Sequence, residues 1–305
     1  MTCLRIHLGP DMLETARAGS FNFMRMVTQA VERIGWQVRL LPDTQDAYER
    51  AHERPGYALF HMRPPPHPRA LCFRRAYHYP FWQIEPVAQR WRFHVAQAAF
   101  DPARIPEAQA QAFLARLRTR VLPGPEPARG PHVLVPLQGR IGEWRSFQTM
   151  SPLDMVRVVA RTGRPAIATL HPNETYTPVE MQTLHGLARE YPNLTLGGDT
   201  AAALRGCAFV ATQNSAVAFD GLILGKPAVL FGQSDFHHVA LNVAALGADE
   251  ALTRAPAHRP DFARYVLWFL RRMAVNATAR DAQMQVLRAM KRGGWPIDLP
   301  PPDAD

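Results

Sequence analysis

Cysteine is scarce in this chain. The three present in 305 residues, Cys3, Cys72 and Cys207, are too scattered for a disulfide framework, and no C-x-x-C pair suggests zinc. They read as reduced, structural thiols. Long apolar runs are missing as well: the densest, Tyr265 to Leu270, is six residues long, against the roughly 18 that a spanning helix needs. The opening Met1-Thr2-Cys3-Leu4-Arg5-Ile6-His7 lacks the basic start and apolar stretch of a secretory signal, so a cytoplasmic address is expected, with contact at the inner face of the cytoplasmic membrane left open. Lysine is almost absent: Lys226 and Lys291 are the only two among 35 basic residues, and the rest are arginines.

The familiar catalytic signatures are absent too. There is no G-x-S-x-G elbow, no G-x-x-x-x-G-K-[ST] loop, and no G-x-G-x-x-G after the first strand of either half, which demotes hydrolase, P-loop nucleotidase and dinucleotide oxidoreductase chemistry. His171 and Glu174 do not form H-E-x-x-H, His237-His238 adjoin and are expected to point apart, and the only D-x-D, Asp303-Ala304-Asp305, lies in an acidic, proline-rich tail. No metal and no cofactor are therefore expected. The net charge of +9 is spread along the chain rather than gathered with aromatics on one element. That disfavours nucleic acid and suits anionic substrates or an anionic membrane face.

What is present is a chain with 47% hydrophobic residues, long enough for about two domains at roughly 150 residues each. Cys3 to Leu8 alternates as a strand, Gly9-Pro10-Asp11 turns, Phe21 to Ile34 has helical spacing and Val38 to Leu41 is extended, which makes a β-α-β unit. A strand at Tyr57 to His61 runs into the Pro64 to Pro68 loop, followed by an aromatic loop over 74–85 and a helix from Glu107 to Arg120. The proline- and glycine-rich 123–131 segment reads as an interdomain linker. Beyond it, strands at Val133–Leu137, Ala166–Leu170, Leu194–Leu196, Phe209–Thr212 and Ala228–Phe231 alternate with helical segments, as in a parallel sheet covered on both faces. Two helices, Pro260–Ala274 and Ala279–Arg292, follow. The expected division is an α/β domain over 1–122, a linker over 123–131, an α/β domain over 132–258, and 259–305 as helices crossing back with a flexible tail.

In such a sheet ligands bind beyond the strand ends. The segments there are unusual: Gln138-Gly139-Arg140-Ile141-Gly142-Glu143-Trp144-Arg145, His171-Pro172-Asn173-Glu174, Gly197-Gly198-Asp199, Gln213-Asn214-Ser215 and Gly232-Gln233-Ser234-Asp235-Phe236-His237-His238. Ser215 or Asn214 should cap the following helix, either as a purely structural cap or with the free amides facing a phosphate. Asp220 either binds a ligand hydroxyl or makes a surface pair. Lys226, in Gly225-Lys226-Pro227, reads as a helix-end charge. His171, held extended by Pro172, is placed to donate to a phosphate or carboxylate.

In order and spacing, Val133 to Gln138, His171-Pro172-Asn173-Glu174, Gln213 to Val229 and Phe231 to Phe236 resemble the bacterial capsule polysaccharide synthesis proteins, which include the β-Kdo transferases. The HP and serine motifs are shared more loosely with bacterial sialyltransferases, and a serine loop before a G-K-P turn also occurs in nucleotide-sugar epimerases. The chain has Thr169-Leu170 where family members often carry a lysine before the HP pair. The resemblance implies the GT-B architecture, two Rossmann-like domains facing a cleft, with a nucleotide sugar held by Gln138, Arg140, His171, Pro172, Asn173, Glu174, Gln213, Asn214, Ser215 and Asp220. It implies a glycosyltransferase moving Kdo or another acidic sugar from a CMP donor onto a glycan or glycolipid acceptor; with no internal D-x-D, the transfer is expected to be metal-independent, with helix amino termini and arginines such as Arg140 or Arg145 neutralising the leaving phosphate. A non-catalytic glycan-binding or assembly protein and a UDP-sugar epimerase are the alternatives. With His171, the expected catalytic group is Glu85, as base or nucleophile from the aromatic loop; a helix-start role before Pro86 competes, and Asp11 and Glu143 are the fallbacks. Asp11, Tyr79 and Trp82 are expected on the acceptor side, and Tyr77, Tyr79, Phe81 and Trp82 either stack on a sugar or form core.

Overall fold

A computed structural model describes residues 2–299; the expected flexible tail and its Asp303-Ala304-Asp305 motif lie outside them. The chain forms two compact units, Met1–Ala98 together with Trp268–Asp305, and Ala99–Leu267.

The first unit is built on a six-stranded sheet of β1 (Cys3–Leu8), β2 (Gln37–Pro42), β3 (Tyr57–His61), β4 (Ala70–Arg75), β5 (Phe81–Glu85) and β12 (Val275–Asn276), in the order β12-β5-β4-β3-β1-β2. The β1–β4 strands pair in parallel and β5 is antiparallel to both its neighbours. Alternation in β1 decides its facing: Leu4, Ile6 and Leu8 enter a core with Phe23, Val27 and Val31 of the Asn22–Glu32 helix and Val286, Leu287 and Met290 of the Ala282–Arg292 helix. His7 lies on the other face, stacked on Phe60 with ring centroids 4.4 Å apart.

The second unit holds β6 (Val133–Pro136), β7 (Ala166–Thr169), β8 (Leu194–Leu196), β9 (Phe209–Thr212), β10 (Ala228–Leu230) and β11 (Leu241–Asn242), all parallel in the order β11-β10-β9-β6-β7-β8. Counted from β6, this is the 3-2-1-4-5-6 order of a doubly wound sheet, whose strand order reverses between β6 and β9. Val133, Leu134 and Val135 are all buried, as a strand covered on both faces requires. Helix starts follow their caps: Ser151 accepts from the Asp154 amide at 3.1 Å, and Thr177 and Glu180 form a reciprocal capping box.

Several elements differ from the sequence reading. Pro10 opens a helix, Pro10–Arg17, because a proline ring suits the first helical position, so Gly9-Pro10-Asp11 is a helix start and not a free turn. The aromatic loop is a hairpin of β4 and β5 whose turn carries a cis Tyr79–Pro80 bond. The expected Pro260–Ala274 helix is an α-helix only over Phe262–Leu267, continues as a π-turn over Trp268–Arg272, and yields to β12, which pairs with the edge of β5. The Glu107–Val121 helix belongs to the second unit, where it packs against Phe262–Leu267 and Arg264 Nε donates to the Ile105 carbonyl at 2.8 Å.

The 123–131 stretch is fastened along the second unit. Arg205 donates to the carbonyls of Leu122, Pro123 and Pro125 at 2.6 to 2.7 Å, the Gly130 amide donates to Gly206, and Lys226 Nζ reaches the Ala128 carbonyl. A proline-rich chain keeps its carbonyls free for such donors while offering few amides of its own.

Candidate functional site

The carboxyl ends of β6 and β9 flank the reversal of strand order, and Thr212 Oγ1 joins them by donating to the Pro136 carbonyl at 3.1 Å. The 138–151 segment after β6 folds over these ends. It is pinned to the end of β10, with Thr149 N donating to Phe231 O and Gln233 N to Phe147 O, both at 2.8 Å. On the other side Glu180 accepts from the Gly142 amide at 3.2 Å. The capping glutamate of the Pro178–Glu190 helix therefore also fixes the loop, and these hydrogen bonds hold the Glu180 pKa below the usual carboxylate value.

Beneath the loop is a set of buried polar groups. Gln213 is 3% exposed; its Nε2 donates to the Met150 carbonyl at 3.1 Å, while Oε1 has no partner. Gln148 accepts from the Arg145 amide at 2.8 Å through Oε1 and leaves its buried Nε2 unpaired. Arg145 Nε and Nη2 are likewise buried without acceptors, with the guanidinium 4.9 Å from the Phe147 ring centre. Desolvation lowers the Arg145 pKa and Arg140 adds to this, while Glu143 and Glu174 oppose it. Buried donors and acceptors are nearly always satisfied in folded proteins, so this collection calls for water or a ligand. Trp144, held by its indole donating to the Gln148 carbonyl at 2.8 Å, stands exposed beside it. Gln148 is the member that sequence reasoning missed, because its side chain reaches the site only through the fold of the loop.

The remaining expected residues surround these groups. His171 to Glu174 are exposed after β7. The His171 Nδ1 accepts from the Asn173 amide at 3.2 Å, which leaves the ring proton on Nε2 as a donor. Glu174 lies against Gly139: a Cβ there would stand 2.1 Å from Glu174 Oε2, so only glycine allows the two loops this approach without a shift. Gln138 is half-buried in the same loop. Arg140, at φ +60°, is exposed and bonded through Nε and Nη2 to the Glu143 carboxylate, which leaves both as a surface pair. Asn214 donates to the Gln233 carbonyl at 3.1 Å, and Ser215 Oγ caps the Ala216–Ile223 helix by accepting from Val217 N. Asp220 is half-buried on that helix, past its first turn.

In the first unit the acceptor-side residues separate. Trp82 is 1% exposed and stacked on Phe23 at 4.5 Å, so it is core and presents no face to a sugar. Phe81 is also buried, Tyr79 is exposed, and Tyr77 lies under the Arg90 guanidinium at 4.2 Å. Asp11 is exposed in the first turn of the Pro10–Arg17 helix. Glu85 is not in a loop: it ends β5, is 2% exposed, and accepts from the His94 amide at 3.1 Å. It serves there as the acceptor for a helix start in the His94–Gln97 turn.

Two further expectations change. Lys226, read as a helix-end charge, does follow the Ala216–Ile223 helix, but it is 1% exposed and donates to the carbonyls of Cys207, at 2.8 Å, and Ala128. The His237 and His238 rings do not point apart; they stack with centroids 4.1 Å apart, each Nδ1 within hydrogen-bond reach of its own oxygen, Ser234 O and Tyr265 Oη. Among the described residues, no group of three or more His, Cys, Asp or Glu side chains is placed to hold a metal ion. No helix among them is long and apolar enough to cross a membrane.

No family model matches the chain, and no curated protein matches it in sequence. Among solved structures it is similar to the β-Kdo 2,7 transferase of Thermosulfurimonas dismutans KpsC, with a TM-score of 0.56, 12% identity, and 96% of this chain and 99% of that chain covered. The β-Kdo 2,4 transferase of the same KpsC aligns with a TM-score of 0.44 and 12% identity over 86% of this chain and 88% of that one. The UDP-GlcNAc 2-epimerase of Methanocaldococcus jannaschii aligns with a TM-score of 0.34 and 9% identity over 96% and 99%. The first likeness, with the two six-stranded sheets, shows a two-unit α/β fold of GT-B type.

Proposed function

We propose that the protein is a glycosyltransferase that binds a nucleotide sugar over the carboxyl ends of β6 and β9 and transfers an acidic sugar, Kdo or a relative from a CMP donor, to a surface glycan or glycolipid. The observation that carries this reading is the set of buried, unsatisfied polar groups of Gln213, Gln148 and Arg145 at the reversal of strand order. Their chemistry suits a ligand with both hydroxyl donors and anionic oxygens. The exposed Trp144 offers a stacking face, and His171 Nε2–H and the Arg145 guanidinium offer donors for phosphate or sugar carboxylate. Because these groups and the amides at the start of the Ala216–Ile223 helix would neutralise the leaving phosphate, no divalent cation is required in this reading. The GT-B likeness to a β-Kdo transferase supports the choice of donor class.

Calorimetric titration with CMP, UDP and GDP tests the reading. CMP is expected to bind best, and His171→Ala to weaken it about tenfold, or about 1.4 kcal/mol, without lowering the melting temperature, since the side chain is exposed. Absence of binding for all three nucleotides at millimolar concentration would overturn it. Burial of Glu85 favours a second reading, a nucleotide-binding protein of the same fold that performs no transfer. Release of CMP from CMP-Kdo in the presence of chelator and a glycan acceptor distinguishes the two.

A further inference from the structure

The first unit contains a pocket of about 210 Å³ beside β5, since its lining residue Val275 pairs with Trp82. One wall is a stripe of the last helix and its cap: Asp281, Gln285, Arg288 and Arg292 follow one another at intervals of four, three and four, which sets them on one helix face. Arg271 and Arg272, at the end of the π-turn, and Met273 to Val275, which lead into β12, line the pocket as well. Four arginines and one carboxylate, Asp281, thus line it. That carboxylate is already engaged, because Gln285 Nε2 donates to Asp281 Oδ1 at 2.7 Å while Gln285 Oε1 accepts from the Asn276 amide at 2.8 Å. Gln285 thereby braces the helix against the strand and fixes the shape of the pocket. Among the described residues, Arg271, Arg288 and Arg292 form no ion pair with a carboxylate, although the charge of Glu85 at the end of β5 acts on Arg292 from beyond ion-pair distance.

Elsewhere exposed arginines of this protein form pairs, as Arg50 does with Glu53, Arg118 with Glu126 and Arg254 with Glu250. Concentrating Arg271, Arg288 and Arg292 around a concavity without such an ion pair among the described residues raises the potential within it and favours an anion that several forks can share. At roughly 30 Å³ per water the space equals about seven waters, enough for a phosphate or diphosphate group with part of its hydration shell.

We propose that this pocket is a binding site for a terminal phosphate or diphosphate group, presented by a soluble ligand or by a lipid headgroup. Its lining residues all belong to the first unit, and it does not depend on the nucleotide site proposed in the second. Arg271, Arg288 and Arg292 supply the donors for the group, and Asp281 limits affinity for the most highly charged ligands.

The test is titration of the full chain, without nucleotide, with inorganic phosphate and with pyrophosphate, alongside co-sedimentation with phosphatidylglycerol and with phosphatidylcholine vesicles. Pyrophosphate is expected to bind more tightly than phosphate, and binding to weaken with added salt. The double variant Arg271→Gln, Arg288→Gln should weaken it by about tenfold or more. Arg116→Gln, exposed in the second unit, should leave it unchanged. Asp281→Asn, which removes the repelling charge and can keep the contact with Gln285, should strengthen pyrophosphate binding by about threefold. This opposite change separates a binding effect from a folding defect. Retention on phosphatidylglycerol but not phosphatidylcholine vesicles, lost in the double variant, assigns the group to a lipid; binding of the soluble anions alone assigns it to a soluble ligand. No binding of either kind, or binding that the double variant leaves intact, overturns the proposal.

Discussion

At the scale of single residues, Lys226 shows how a polar group can hold a fold together. A buried ammonium ion is costly, and desolvation lowers its pKa, yet here it satisfies two carbonyls that would otherwise be left without donors. One carbonyl belongs to Cys207 before β9 and the other to Ala128 in the proline-rich stretch, so the single side chain ties that stretch to the sheet. Lys226→Met, nearly isosteric, is expected to reduce unfolding free energy by about 1–3 kcal/mol, measured by urea denaturation. A loss below about half a kilocalorie, the range of ordinary surface substitutions, would mean that the ammonium is dispensable. The sequence could not show this role, because Gly225-Lys226-Pro227 carries a helix-termination signal whether its lysine points to water or inward. Glu85 was misplaced for a related reason: the flanking prolines suggested a stiff loop, while the residue itself ends a strand whose cross-strand partner is Cys72.

At the scale of elements, the strands of the second unit were legible because fully buried parallel strands are short apolar runs separated by helix caps, and Val133 to Pro136 and Phe209 to Thr212 fit that pattern. The polar loops after them were legible for the same reason. What the sequence did not show was the path of the 138–151 loop over the strand ends, which depends on Glu180, a residue whose spacing from Thr177 predicts only a capping box. One carboxylate therefore stabilises a helix start and positions the loop that covers Gln213. Thr177→Ala should cost about 1 kcal/mol through the lost cap and leave the Glu180 contact with Gly142. Glu180→Ala should cost a similar amount and in addition weaken nucleotide binding, because the loop bearing Arg145 and Gln148 loses its anchor. Equal nucleotide affinity in the two variants, measured by calorimetry, would detach the capping box from the site.

At the scale of the molecule, charge that is scattered in sequence becomes local in space, as the arginine-lined pocket illustrates, and titratable histidines are gathered as well. His7, His61 and His67 all belong to the first unit, and burial is the leading cause that lowers each pKa below the ordinary 6.5. Nearby arginines add to the effect, Arg74 and Arg75 at His61 and Arg69 at His67, while Asp43 opposes it at His7 and His61. The unfolded chain therefore binds protons at these positions before the folded one does. Stability is fully present above about 6.5 and is lost as pH falls from there toward the lowered folded values, at up to about 1.4 kcal/mol per pH unit for each histidine held neutral. The first unit is expected to lose stability between pH 7 and pH 5, before carboxylates begin to titrate. His7→Gln should flatten that slope, since His7 is 1% exposed and its imidazolium would have to form against Phe60 in the interior. Urea melts followed by tryptophan fluorescence across this range provide the measurement; Trp36, Trp82 and Trp295 report on the first unit. A midpoint that stays constant down to pH 5 would show that the histidines are protonated in the folded state as readily as in the unfolded chain.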